Sequence, residues 1–316
     1  MAEVVVSEAI SGPAMEALQA DFDVLSVPDL WQDENALMSA MQDAKAIIVR
    51  NQTQVSAALL ENSSQLQVVA RAGAGLDNVD TEVAAQRGIV VTYAPRENSL
   101  AVAELAMGFL LNLARGIPRA HMDTRAGNWN RNHFVGTELS GKVLGLVGFG
   151  RIGQLVARRA VAFGMSIVAY DKFLPDDAPV VEELGVQMLE FEHVLQVSDF
   201  ISCHVPLLAE TQHLFSDRQF SLMKESAYFL NTSRGEIVDE QALYEALSIG
   251  RLCGAAVDVR ESEPPELGGL ATLSNVIVTP HIGAFSQEAQ RRVVDAVCHD
   301  VRAVLGGKPP RNPFSR

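Results

Sequence analysis

The chain predicts an α/β fold of two doubly wound parallel-sheet domains, and three observations predict it. Short β-rich runs alternate with amphipathic helical stretches from end to end. The runs are continuously apolar, as in strands buried on both faces of a parallel sheet. The 316 residues suffice for two ordinary domains, each with its own core. Apolar residues at 48% and charged residues at 20% place the chain among globular rather than disordered sequences.

In the first part the strands read "EVVVSE" (3–8), "DVLSV" (23–27), "AIIVR" (46–50), "LQVVARAG" (66–73) and "IVVTYAP" (89–95). Helical patterns such as "PAMEALQA" (13–20) and "SAALLENS" (56–63) lie between them. "ENSLAVAELAMGFLLNLARGI" (97–117) follows as a long helix, with Ser99 as its N-cap and Pro118 just past its end. From Gly141 on, "KVLGLV", "SIVAYD", "VQML", "DFISCHV", "AYFLNT", "GAAVDV" and "VIVT" repeat the alternation. A second long helical pattern, "SQEAQRRVVDAVCHDVRAVLGG" (286–307), ends at a glycine pair and Pro309-Pro310. These two helices are expected to connect the domains, with the C-terminal residues returning to the first. The expected division is 1–96 plus 286–316, and 97–285.

A formal net charge of −14 excludes a general affinity for nucleic-acid backbones or anionic membranes. Cys203, Cys253 and Cys298 are far apart and lack metal-ligand spacing, so no metal is expected and a reducing compartment fits. The N-terminus lacks a basic segment followed by a long apolar one. The apolar stretch "LAMGFLLNLA" (105–114) is far shorter than the ~20 residues of a membrane span. The expectation is a soluble, cytoplasmic protein.

"KVLGLVGFGRIGQLVARRAVAFG" (142–164) carries G-x-G-x-x-G as Gly148, Gly150 and Gly153, between an apolar strand and an Ala/Val-rich helix. Gly148 permits the tight turn, Gly150 lets the backbone approach a pyrophosphate, and Gly153 lets helix and strand pack closely. The helix N-terminus offers N–H groups and a positive dipole end to that anion. The next strand ends in Asp171, about 20 residues beyond the glycines, where an acid accepts from adenosine ribose hydroxyls. A carboxylate there repels a 2′-phosphate, so NAD is expected over NADP.

Three motifs in series, "GFGRIG", "FLNTSRGEIVDEQAL" (229–243) and "VDVRESEPPE" (257–266), are followed by "TPHIGA" (279–284). Together they resemble the D-isomer-specific 2-hydroxyacid dehydrogenases over nearly the whole chain. "RAGAGLDNVD" (71–80), "NSLAVAELAMG" (98–108) and "GTELSGK" (136–142) look most like the phosphoglycerate dehydrogenases of that family. The resemblance implies a Rossmann NAD-binding domain, a smaller flavodoxin-like substrate domain and a homodimer formed through the NAD domain. It implies a catalytic set of Arg234, Glu263 and His281. It implies cofactor contacts at Arg151, Ile152, Asp171, Val205, Thr232, Asp258 and Gly283 beside the three glycines. A substrate-carboxylate cradle falls on Ala72, Gly73 and Ala74, and a substrate arginine on Arg50. Two departures stand out. Arg260 replaces a common aromatic, and the chain ends at Arg316, where some relatives continue into a regulatory domain; feedback control through such a domain is not expected.

The chemistry agrees with these assignments. A 2-hydroxy acid that loses hydride must also lose its hydroxyl proton, and histidine titrates near neutral pH. A carboxylate beside it holds the tautomer and stabilises imidazolium, while a guanidinium forks onto the substrate carboxylate. Taken singly, Arg234, Glu261 or Glu263 reads as a surface residue; three such groups at successive strand ends point to one site. His204 reads as a strand-end residue near the cofactor, and His121, His133, His193, His213 and His299 as surface or packing residues. The expected activity is NAD-dependent oxidation of a small D-2-hydroxy acid, or reduction of its keto partner. A second anionic group, as in 3-phosphoglycerate or sulfolactate, would meet Arg50; hydroxypyruvate and glyoxylate are the other candidates. An NAD-sensing corepressor-like binding protein is the alternative of another class.

Overall fold

Val4, Val5 and Val6 are all fully buried, yet Val4 and Val6 join one apolar cluster and Val5 another. A strand alternates its side chains between two faces, so both faces here must be covered. The computed structural model describes residues 2–315; residues 1 and 316, inside the spans expected for the first domain, lie outside them. The chain forms two compact units, one running to Asn98 and resuming at Ala284, the other Ser99–Gly283.

The first unit holds β1 (Val4–Val6), β2 (Val24–Ser26), β3 (Ala46–Val49), β4 (Val68–Arg71) and β5 (Val90–Tyr93). They pair in parallel in the order β2-β1-β3-β4-β5. Helix Pro13–Asp21 buries Met15 and Leu18 on one face, beside helix Gln287–Leu305 with Val293, Val297 and Val301. Ser56, Asp80 and Ser286 cap their helices by accepting from the backbone N–H three residues on.

The second unit holds β6 (Val143–Val147), β7 (Ser166–Tyr170), β8 (Gln187–Met188), β9 (Phe200–Cys203), β10 (Tyr228–Asn231), β11 (Gly254–Val257) and β12 (Val276–Val278). The order β12-β11-β10-β9-β6-β7-β8 is parallel throughout and reverses direction of growth at β6. A ligand crevice forms at such a reversal, outside the carboxyl ends of the strands. Each expected strand is present in a slightly shorter form.

Helix Ser99–Arg115 differs from expectation at both ends. Ser99 is its first residue rather than its cap. Gly116 then takes a left-handed conformation, and Pro118 lies in the first turn of a new helix, Ile117–Arg125, bent 62° from the first. Proline suits that position because the first-turn N–H has no helical acceptor anyway. Among the described residues no single helix is long and apolar enough to cross a membrane. In the segment "WNRNHFVGTEL", Trp129 and Val135 are exposed at 82% and 86%, whereas Phe134 is half-buried.

Candidate active site

The glycine loop follows β6. A Cβ on Gly148 would stand 2.7 Å from the His204 carbonyl carbon and 2.9 Å from the Val205 nitrogen, so only hydrogen fits between these two strand ends. A Cβ on Gly153 would lie 2.4 Å from the Gly148 oxygen, which shows how tightly the helix packs on the turn. At Gly150 a Cβ would meet nothing within 4 Å; the backbone there borders open space. Helix Arg151–Ala162 starts at that point without a side-chain cap, with Arg151 and Ile152 in its first turn. Asp171, just past β7, is tied back to the loop. Its Oδ2 accepts from Phe149 N–H at 2.8 Å, and its Oδ1 accepts from Phe173 and Leu174 N–H at 2.9 and 3.1 Å. One acceptor position remains on Oδ2. At the ends of β9 and β10, His204 Nδ1 and Thr232 Oγ1 are buried with no hydrogen-bond partner among the described residues. Open backbone, an uncapped helix start and two orphaned polar atoms on one sheet edge fit a dinucleotide.

The next three strand ends carry the titratable groups. His281 follows β12 in a left-handed conformation, φ 54°. That is uncommon for a non-glycine residue and persists where surrounding structure holds it. Asp258 supplies the hold: its Oδ1 accepts from Ile282 N–H at 2.8 Å and Thr279 O–H at 2.5 Å, and its Oδ2 accepts from Gly283 N–H at 2.7 Å. Its own carbonyl accepts from His281 N–H at 2.7 Å. The carboxyl is raised by its burial, against these hydrogen bonds and the His281 charge. The resemblance implied that Asp258 and Gly283 touch cofactor; in the structure both serve first to shape the histidine loop.

His281 Nδ1 lies 2.7 Å from Glu263 Oε2. Burial works to raise the Glu263 carboxyl, but the hydrogen bond and charge of His281, the Arg260 amide and the Arg234 guanidinium together hold it below its ordinary value. Arg234 leaves β10 through a loop locked by Asn231, whose side-chain amide donates to the Arg234 carbonyl at 2.8 Å. A Cβ on Gly235 would collide with the Arg260 carbonyl carbon at 1.9 Å, so glycine alone lets the two loops touch. Arg234, Glu263 and His281 are thus brought together.

Sequence reasoning missed the residues beneath this set. Glu240 accepts from Arg260 Nε and Nη2 at 2.8 and 2.7 Å and from Glu261 N–H at 2.8 Å. His213 is a surface residue, as expected, and its Nε2 lies 2.7 Å from Glu261 Oε1. The unusual arginine at 260 was the available signal.

In the first unit, Arg50 is also built in. Its Nη1 donates to Gln290 Oε1 at 2.7 Å, and its guanidinium lies 4.6 Å from the Phe285 ring centre. Burial lowers the guanidinium from its ordinary value, against the charge of Glu8. That buried carboxylate, unnoticed in the sequence, accepts from the N–H groups of Arg50, Gln52 and Thr53. The expected cradle differs in detail. Ala72 and Gly73 spend their N–H groups on Val49 and Arg71 carbonyls at 2.7 and 2.8 Å, which leaves Ala74. Arg71 Nη1 lies 1.7 Å from where a Gly73 Cβ would stand, so the guanidinium covers the glycine.

Residues 107–283 match the family described as D-isomer specific 2-hydroxyacid dehydrogenase, NAD binding domain. A D-3-phosphoglycerate dehydrogenase of Methanocaldococcus jannaschii is 41% identical over 99% of this chain and 59% of its own length. The chain therefore spans less than two thirds of that relative. A hydroxypyruvate reductase of Thermotoga maritima is 43% identical over 85% of this chain and 87% of its own. Among solved structures, the TT0316 protein from Thermus thermophilus superposes with a TM-score of 0.91 at 34% identity, covering 99% of each chain.

Proposed function

This chain belongs to the D-isomer specific 2-hydroxyacid dehydrogenase family, and from that premise we propose that it is an NAD-dependent oxidoreductase acting at C2 of a small D-2-hydroxy acid or its 2-keto partner. The observation that carries the reading is the 2.7 Å contact between His281 and Glu263 on adjoining strand-end loops.

Bound nicotinamide supplies the hydride acceptor or donor; everything else falls to the chain. Gly148, Gly150 and Gly153 with the N-terminus of helix Arg151–Ala162 hold the pyrophosphate. Asp171 accepts from ribose, and Val205, Thr232, Asp258 and Gly283 border the rest of the dinucleotide. Arg234 forks onto the substrate carboxylate and oxo oxygen and so orients C2. With Nδ1 on Glu263, Nε2 is the ring nitrogen that exchanges a proton with the C2 oxygen. During reduction His281 gives that proton and becomes neutral; during oxidation it takes it, and Glu263 stabilises the imidazolium.

The substrate carries a second anionic group that pairs with Arg50, as in 3-phosphoglycerate. Within the 72–74 segment its carboxylate meets the backbone N–H of Ala74, since those of Ala72 and Gly73 are already bonded. The phosphoglycerate dehydrogenases among the relatives support this choice, and the hydroxypyruvate reductase supports the smaller keto acids as second choice. The enzyme works in the cytoplasm, in keeping with three free cysteines. It forms a homodimer that covers Trp129 and Val135; a monomer in light scattering would remove that part. A panel of 2-keto acids with NADH, followed by absorbance, tests the whole. Turnover should be fastest with a phosphorylated or sulfonated acid, and no turnover across the panel would overturn the reading.

A further inference from the structure

We infer that the Arg260–Glu240 ion pair is the positioning device for Glu263, and through it for His281. Its kinetic consequence rests on the dehydrogenase reading; its structural consequence does not.

Residues 261–267 are all exposed, so apolar packing does not hold the loop that carries Glu263. A loop of this kind opens easily unless polar contacts fix it. Those contacts converge on Glu240. It is the first residue of helix Glu240–Ser248, whose start is secured by Asp239 accepting from Ala242 N–H at 3.0 Å. From this fixed base one carboxylate takes three donors, two from the Arg260 fork and one from the Glu261 backbone. The pair is well shielded, with side chains 10% and 21% exposed. A two-pronged arginine–carboxylate bond sets orientation as well as distance.

The fixed backbone then reaches the acid directly. Arg260 N–H lies 3.3 Å from Glu263 Oε1, while Oε2 of the same carboxylate faces His281 Nδ1 at 2.7 Å. On the other side, Gly235 packs against the Arg260 carbonyl, which sets the distance to Arg234. Glu261 is steadied in turn by His213. Without the fork, the 261–263 backbone loses its anchor and Glu263 drifts from the imidazole. Misplacement of that kind, away from the reacting atoms, costs up to about 10²-fold in rate.

The test removes both charges together, as Glu240→Gln with Arg260→Met, because a lone partner would remain shielded and unpaired. NMR titration of the His281 imidazole, with steady-state kinetics, is compared across wild type, this double variant, Glu263→Gln and the triple combination. Expected are a kcat loss of about tenfold, little change in NADH affinity or unfolding midpoint, and a His281 titration displaced in the direction seen for Glu263→Gln. In the Glu263→Gln background the double variant should cost nothing further, because its effect runs through that carboxylate. Arg260→Lys keeps the charge without the fork and should fall between; it supplies the same comparison should the double variant fail to fold. An unmoved His281 titration, or an equal kcat loss with and without Glu263, overturns the inference. If wild type reduces no keto acid while the double variant still shows the displaced titration, positioning stands and the dehydrogenase reading falls.

Discussion

Glu263 Oε2 and His281 Nδ1 stand 2.7 Å apart although the residues are 18 positions apart in the chain. Each is held by something else: Glu263 by the Arg260 amide, His281 by the carboxylate and carbonyl of Asp258. The backbone of the His281 loop is held by Asp258 and not by the Glu263 side chain, so removing that side chain leaves the loop in place. That makes the pair testable by substitution.

His281→Gln should lower kcat roughly 10²–10⁴-fold, the usual scale of general acid–base help, with NADH affinity nearly unchanged. The Glu263 carboxyl is held below its ordinary value. Its contribution is therefore complete above the ordinary carboxylate range and disappears only as pH falls through the lower folded value. His281 gives a proton in reduction and takes one in oxidation, so reduction should fall and oxidation should rise as pH increases. Glu263→Gln should move both limbs to lower pH, since the neighbouring negative charge is gone. Steady-state rates across pH decide this; unmoved limbs would detach the carboxylate from the proton transfer.

Asp171 retains an acceptor position on Oδ2 after its three backbone bonds. Wild type should prefer NADH strongly over NADPH. Asp171→Ala should narrow the gap by removing both the ribose bond and the repulsion of a 2′-phosphate. The same substitution frees Phe149 N–H, so NADH affinity should fall as well. Comparable kcat/KM with the two cofactors in wild type would contradict this role.

The Arg50 guanidinium lies over the Phe285 ring and donates to Gln290. Arg50→Ala should raise KM more for 3-phosphoglycerate or sulfolactate than for an acid with an uncharged tail, which loses no charge-assisted bond. Arg50→Lys should recover little, since an ammonium neither forks nor stacks. An equal rise for every acid would place Arg50 outside the distal pocket.

Burial pushes His204 down to about 4, so the folded protein keeps it neutral. An unfolded chain protonates it below its ordinary value of about 6.5. The folded value is the lower one, so full stability is present above the unfolded value and is lost as pH falls toward the folded one. The loss amounts to about 3 kcal/mol at most. His204→Gln, which can keep a bond to Ser202, should flatten this part of the stability profile. Urea unfolding between pH 7 and 4 measures the difference; parallel profiles would show that the histidine charges without cost.

Strand positions, the glycine turn and the meeting of Arg234, Glu263 and His281 were legible in the sequence. Continuous apolar runs such as Ala46–Val49 can satisfy themselves only inside a two-sided sheet, and glycines at 148 and 153 answer a local steric need. Helix ends were less legible: Pro118 reads equally as a stop or a start, and the left-handed turn at Gly116 made it a start. What tertiary structure decided was partnership. Glu8 serves a loop more than 40 residues away, Glu240 reaches back to Arg260, and His213 finds Glu261. No periodicity encodes such pairs, because parallel strands joined by helical crossovers bring distant loops to one sheet edge. The sequence therefore determined which groups stand at that edge, and the packing of the loops decided which of them hold the others in place.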